Sequence, residues 1–261
     1  LCACGGLSSD FEILSRIQNL KTGSILQGRM MEKSIYQSGE YVEKNPTYHV
    51  EDSAWKAAQI IKMMRRHAIE PRTVCEIGCG AGEILRQLQL DLPPSTEFYG
   101  YEISPAAFAL CRERANERLR FYCQDLLETE AKPFDLLLCI DVFEHVEDYM
   151  GFLRRLRARA EWKIFHIPLD MSAQWVLRGH PIMLERREVG HLHYFMKETA
   201  LAALAETGYE IVDQFYTPGA LLNPRSLKAR LASWPRKLFS LVNQDLAVRL
   251  LGGYSLLVLA K

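Results

Sequence analysis

The sequence predicts an α/β fold with a doubly wound, mainly parallel sheet. Three observations carry this expectation. Val74-Cys75-Glu76-Ile77-Gly78-Cys79-Gly80-Ala81-Gly82-Glu83 joins a short apolar run to three alternate glycines, and a helical pattern follows over Glu83 to Leu90. Downstream, apolar runs of strand length alternate with helical patterns, as a parallel sheet with crossover helices requires. Finally, 261 residues suffice for one large domain, or one domain with an appendage.

Composition narrows the function classes. Apolar and charged fractions of 48% and 25% are ordinary for a globular protein. The 32 basic and 32 acidic residues cancel, so no global field steers the chain to nucleic acid or an anionic membrane. No apolar run approaches the roughly 20 residues of a membrane span, and no secretory leader pattern stands at the N-terminus. Seven cysteines is an odd number, and Cys75, Cys79, Cys123 and Cys139 lie in or beside expected strands. That suits small buried hydrophobes in a reducing cytoplasm better than a disulfide framework. Cys2 and Cys4 lack a second Cys/His pair at metal-ligand spacing.

In chain order, Phe11, Ile13, Leu14, Ile17 and Leu20 recur at helical spacing. An aromatic segment follows with Tyr36, Tyr41, Tyr48, His49 and Trp55. It reads as an N-terminal arm pinned to the domain or a lid over the glycine loop. Asp52 or Ser53 is placed to cap a helix over Ser53 to His67, and residues 1–68 are assigned to this arm, with 69–261 as the main domain. The glycine loop after the first strand builds a nucleotide-type cradle at the carboxyl edge of the sheet. Its spacing, Gly78-x-Gly80-x-Gly82, differs from the dinucleotide pattern G-x-G-x-x-G. Glu76, two residues ahead of the first glycine, would repel a pyrophosphate and suit a cationic amino-acid group.

A second strand over Thr96 to Tyr101 ends in Glu102-Ile103-Ser104-Pro105, with Ser104 capping a helix that runs to about Asn116. Glu102 lies 24 residues beyond Gly78, where an acid reaches a ribose hydroxyl pair. Third and fourth strands fall at Leu119 to Tyr122 and Phe134 to Ile140, followed by Cys123-Gln124-Asp125-Leu126 and Asp141-Val142-Phe143-Glu144-His145-Val146.

These motifs together resemble the class I S-adenosylmethionine (SAM) methyltransferases, of the small-molecule type with D-V-x-E-H-V after strand four. The resemblance covers about residues 70–168, and Phe143 stands where leucine is usual. It implies a seven-stranded sheet of order 3-2-1-4-5-7-6 with the last strand antiparallel, and SAM as cofactor. It assigns cofactor contacts to Glu76, Gly78, Cys79, Gly80, Gly82, Glu102, Ile103, Asp125, Leu126 and Asp141. Asp125 would accept from the adenine amino group, with Leu126 supplying an adjacent amide.

Spaced i, i+3 and i+4, Asp141, Glu144 and His145 would share a helical face. With His191 or His193 they form an oxygen/nitrogen cluster able to hold Mg²⁺ or Mn²⁺. Ubiquinone-pathway and small-RNA 3′-end methyltransferases use a Glu-x-x-Glu-His arrangement in this way; metal-free relatives also carry E-H here, and no metal ligand is assigned. A fifth strand, Trp162 to Ile167, precedes a loop of about twenty residues to His191, where Met171, Trp175, His180, Met183, His191, His193 and Tyr194 could line an acceptor pocket. A helix over Lys197 to Thr207 leads to strands Tyr209 to Tyr216 and Tyr254 to Leu259. Between those strands, Thr217 to Gly253 reads as a basic, amphipathic helical insertion: a lid, a dimer element or a polyanion contact.

The expected activity is methyl transfer from SAM to O or N of a small metabolite. Alternatives are a metal-assisted RNA 2′-O- or quinone O-methyltransferase, and a SAM-binding module without catalysis. Histidine titrates near neutrality, so His145 and His193 are the nominated bases. The expected partner is a small-molecule acceptor, with no stable nucleic-acid partner, no transmembrane segment, and room for a homodimer.

Overall fold

A computed structural model describes residues 39–218, 239 and 241–261. The expected helix at Phe11–Leu20, and Arg225 to Lys237 of the basic insertion, lie outside the described residues.

Among the described residues, two helices come first: α1 (Glu40–Lys44) and α2 (Val50–Arg66). The second starts three residues ahead of the expected Ser53, with His49 rather than Asp52 at its N-cap. It buries Ala57, Ile60, Ile61, Met63 and Met64 along one face, as 3.6-residue spacing of apolar side chains demands. Strand β1 (Thr73–Ile77) follows, then α3 (Glu83–Asp91), β2 (Glu97–Tyr101), α4 (Pro105–Cys111), β3 (Leu119–Tyr122) and β4 (Phe134–Ile140). Ser104 caps α4 through its hydroxyl, with Pro105 in the first turn, as the sequence indicated. The helix stops at Cys111 and tightens to a 3₁₀ turn, short of Asn116.

After β4 come a 3₁₀ turn (Phe143–His145), α5 (Tyr149–Leu156) and β5 (Ala160–Pro168). The expected irregular loop before His191 instead holds two helices, α6 (Ala173–Arg178) and α7 (His180–Glu188). Their periodicity is faint because Val176, Leu177, Met183 and Leu184 are exposed rather than packed on one face. Helix α8 (Lys197–Glu206), β6 (Ile211–Thr217), α9 (Gln244–Leu251) and β7 (Ser255–Ala260) complete the described elements.

The sheet order is β3-β2-β1-β4-β5-β7-β6. Strands β1 to β5 pair in parallel, and β7 runs antiparallel to both β5 and β6. Side chains alternate across this sheet with period two. Val74, Leu136, Leu138 and Ile164 therefore pack under α2 and α3, while Cys75, Leu137, Cys139 and Phe165 pack under α5 and α8. Burial on both faces explains the unbroken run Leu136 to Ile140.

Glu83 opens α3 and gathers Arg86, Gln87 and Arg114, at 2.6–3.0 Å. The Arg86 hydrogen bonds, opposed by partial burial and helped by Arg114 and Gln87, hold its carboxyl down to about 2. A carboxylate depressed on folding stabilises fully above its ordinary value and loses that contribution as pH falls toward the folded one. Glu83→Gln should therefore cost about 1 kcal/mol at neutral pH and flatten the loss of melting temperature between pH 4.5 and 2. Calorimetric melts across that range test it.

Candidate functional site

The carboxyl ends of β1, β2 and β4 meet at the glycine loop. Gly78, Gly80 and Gly82 have φ of +65°, +53° and +74°, a region where a side chain is strained. A Cβ on Gly82 would also lie 2.5 Å from the Phe121 ring. Of the other cofactor residues nominated from the sequence, Glu102 bonds this loop directly. Glu102 spans it, accepting from the Gly80 amide through Oε2 at 2.9 Å and from the Ser104 amide through Oε1 at 2.8 Å. Its burial raises the carboxyl pKa while those amides pull it down. Ile103 is exposed beside it, whereas Cys79 and Leu126 are buried. Asp125 caps a 3₁₀ turn, with Oδ1 accepting from the Leu127 amide at 2.8 Å.

Glu76 ends up 2% exposed, with no hydrogen-bond partner on Oε2. Burial drives its pKa well above the ordinary range, Lys56 opposing. A buried carboxyl with an orphan oxygen beside a glycine cradle fits the cationic amino group and backbone-hugging body of SAM. Glu102 follows the end of β2, and Asp125 lies just beyond β3.

The aromatic arm covers the loop. Tyr48 lies against Gly80, where a Cβ would be 3.5 Å from its ring, and its hydroxyl is 3.2 Å from Ser104 Oγ. Tyr41 packs on Tyr48 with ring centroids 5.0 Å apart and is buried. Burial raises its pKa, reinforced by Tyr48, Asp141, Glu144 and Glu102. The lid reading of Tyr41 and Tyr48 thus has a geometric basis, and Tyr36 lies outside the described residues.

Asp141 closes the floor in a left-handed conformation, φ +54°. One oxygen pairs with Lys56 Nζ at 2.7 Å and the other with His166 Nδ1 at 2.6 Å. The far ring nitrogen of His166 meets Thr217 Oγ1 at 2.9 Å. Burial opposes ionisation, but His166 and Lys56 hold the Asp141 carboxyl well below its usual range. Lys56 escaped the sequence reading because only the register of α2 brings it to a residue 85 positions downstream.

The left-handed Asp141 also breaks the helical geometry assumed for Asp141, Glu144 and His145. The 3₁₀ turn carries Glu144 inward, fully buried, away from Asp141's partners. There it meets His145 and His191, whose ligand atoms and its own all lie within 4.8 Å of one another. Burial, reinforced by Asp141 and Asp170 and opposed by His191, pushes Glu144 up to about 8. Burial and the neighbouring His191 push His145 down to about 4. His191 gives its Nδ1 to Asp170 Oδ2 at 2.6 Å, and despite burial this bond with the Glu144 charge lifts it to about 9. Asp170 was not anticipated; its only signal was a place just beyond a strand end. His193 sits apart, with Nε2 donating to the carbonyls of Val146 and Glu147 at 3.0 and 3.2 Å and its ring on Tyr149. Of the expected acceptor-lining residues, His180 and Met183 lie on the exposed α6–α7 pair.

The family described as "Methyltransferase domain" matches residues 51–214. Solved structures share the fold at low identity. Magnesium protoporphyrin IX methyltransferase from Synechocystis PCC 6803, with bound SAH, is 16% identical over 97% of this chain and 94% of its own, at a TM-score of 0.55. A Haloferax volcanii chain in complex with the Trm112 methyltransferase activator is 13% identical over 85% and 94%, at 0.57. The plantazolicin methyltransferase BpumL, in complex with a substrate analogue and SAH, is 18% identical over 85% and 87%, at 0.50. No curated protein matches by sequence.

Proposed function

The chain belongs to the methyltransferase-domain family and takes S-adenosylmethionine as its methyl donor, and on that premise we propose that it methylates an oxygen or nitrogen of a small cytoplasmic metabolite. The observation that carries this reading is the pairing of a glycine cradle with two acids in different states. Glu102 is tied to the loop amides, and Glu76 Oε2 is buried and open. Glu102 and Asp125 would take the ribose and adenine edges, and Glu76 the amino group.

Bound SAM supplies an activated methyl group on a sulfonium leaving group. The protein then has to align the acceptor, exclude water and receive one proton as the new bond to carbon forms and the sulfur–carbon bond breaks. Tyr41 and Tyr48 serve exclusion. Of the two nominated bases, His193 suits proton removal. Its Nε2 donates to two carbonyls, which puts the lone pair of the neutral ring on Nδ1. His145, half-buried and grouped with Glu144 and His191, suits it less. A small acceptor is supported by the balanced charge and by the Tyr41–Tyr48 pair packed over the glycine loop. The buried free thiols of Cys75, Cys79, Cys111 and Cys139 suit a reducing compartment. Among the described residues, no helix is long and apolar enough to cross a membrane.

The test is transfer of labelled methyl from SAM into a fractionated metabolite extract. Incorporation into a small-molecule fraction is the expected result, falling 10²-fold or more in His193→Ala if that ring is the base. Tight SAM binding without transfer to any fraction would favour a module that has lost catalysis.

A further inference from the structure

Among the described residues, Glu144 is the one carboxylate with both oxygens buried and unpartnered. Its side chain is wholly buried, and neither carboxylate oxygen has a hydrogen-bond partner. Ionised, it is a buried charge that the His191 ring offsets only from a distance, with no hydrogen bond to either oxygen; protonated, its hydroxyl has nothing to donate to. Native interiors rarely tolerate either state, and an orphaned buried group of this kind points to an ion or water that satisfies it. Two imidazoles frame it. His145 Nε2 is 3.8 Å from Glu144 Oε1, and the three ligand atoms of Glu144, His145 and His191 lie within 4.8 Å of one another.

The supporting contacts are those of a ligand set. His191 has Nδ1 bonded to Asp170, which is itself buried, so Nε2 is the nitrogen left for a ligand. The backbone of Gly190 hydrogen-bonds the His145 ring. Carboxylate or carbonyl support on the far nitrogen orients metal-binding histidines in general. Backbone bonds from the Leu192 and His193 amides to the Glu144 carbonyl clamp the His191 segment to the turn at 2.9 and 3.0 Å.

We propose that Glu144, His145 and His191 form a binding site for one divalent transition-metal ion, with Asp170 positioning His191. The site stands independently of the methyl-transfer reading. Two imidazoles and one carboxylate favour Zn²⁺ or a similar ion over Mg²⁺, which takes oxygen ligands and water. That departs from the oxygen/nitrogen set read from the sequence, because Asp141 is committed to Lys56 and His166, and His193 to two carbonyls. Ligands at about 2.1 Å around one ion stand roughly 3.4 Å apart, so the three groups close by an ångström or so on loading. The soft terminal torsions of Glu and His allow that movement.

The experiment is equilibrium dialysis of the untagged full-length protein, stripped by chelator, against Zn²⁺, Mn²⁺ and Mg²⁺, with the bound metal measured by elemental analysis. One equivalent of Zn²⁺ is expected, bound at least 100-fold more tightly than Mg²⁺. Glu144→Gln and His191→Gln should each weaken Zn²⁺ at least 100-fold, and Asp170→Asn 10- to 100-fold. Co²⁺ added to the unmutated protein supplies a readout that needs no variant: an intense visible band of a four- or five-coordinate ion is expected. Absence of stoichiometric Zn²⁺, a Co²⁺ spectrum like that of the aqueous ion, or binding indifferent to Glu144→Gln in a folded variant would each overturn the proposal.

Discussion

Asp141→Ala is expected to lower the unfolding free energy by about 3–5 kcal/mol, the cost of leaving the largely enclosed Lys56 ammonium without its counter-ion and the His166 ring without its acceptor. Lys56 Nζ and His166 Nδ1 both depend on this carboxylate, and their side chains are only 18% and 5% exposed. Alanine at φ +54° adds left-handed strain of about 1–2 kcal/mol. Asp141→Gly removes the strain but not the charge loss. Asp141→Asn tolerates the backbone, keeps hydrogen-bonding atoms and discards only the charge. Urea denaturation of the three variants separates those contributions. Because folding depresses this carboxyl, its stabilisation is present above the ordinary aspartate range, near pH 4, and is lost only in stronger acid. The Asp141→Asn deficit should accordingly be constant from pH 7 to about 5. A deficit under 1 kcal/mol for the alanine variant would mean that Lys56 and His166 find other partners.

For Glu102→Ala, the dissociation constant for SAM should rise 100-fold or more, equivalent to about 2.7 kcal/mol. Two effects add. The Gly80 and Ser104 amides lose their acceptor, so the loop is no longer held in its shape, and the ribose would lose the carboxylate proposed for it. Glu102→Gln distinguishes them. Its single carbonyl oxygen can serve one amide but not both, and its NH₂ group would face a donor. A thermal melt alongside the calorimetric titration shows whether the fold survives. Unchanged affinity in a folded Glu102→Ala protein would confine this acid to loop architecture and remove it from the cofactor site.

The residues that were legible in advance are those whose signal is local. Gly78, Gly80 and Gly82 announce a loop with positive φ because other residues are strained there. Ser104-Pro105 announces a helix start through capping chemistry. Leu136 to Ile140 announces a strand buried on both faces. The strand order came with the resemblance and matches the sheet. Where the local signal was weak, boundaries slipped: α2 begins at Val50 and α4 ends at Cys111. Helices α6 and α7 were missed outright because their apolar residues stay exposed, and an unburied helix leaves little periodic trace.

The sequence by itself determined the layered α/β architecture, the glycine cradle and the acids beside it. Those depend on backbone conformations and side-chain periods that a few neighbouring residues dictate. Only the tertiary structure decided which acids do what. Asp141 and Glu144 are three positions apart and looked like members of one cluster. A single left-handed residue followed by a 3₁₀ turn sends one to Lys56 and His166 and the other to His145 and His191. Those partners arrive from α2, from β5 and from the segment after α7. Contacts of that separation follow from how elements pack, which no local pattern encodes.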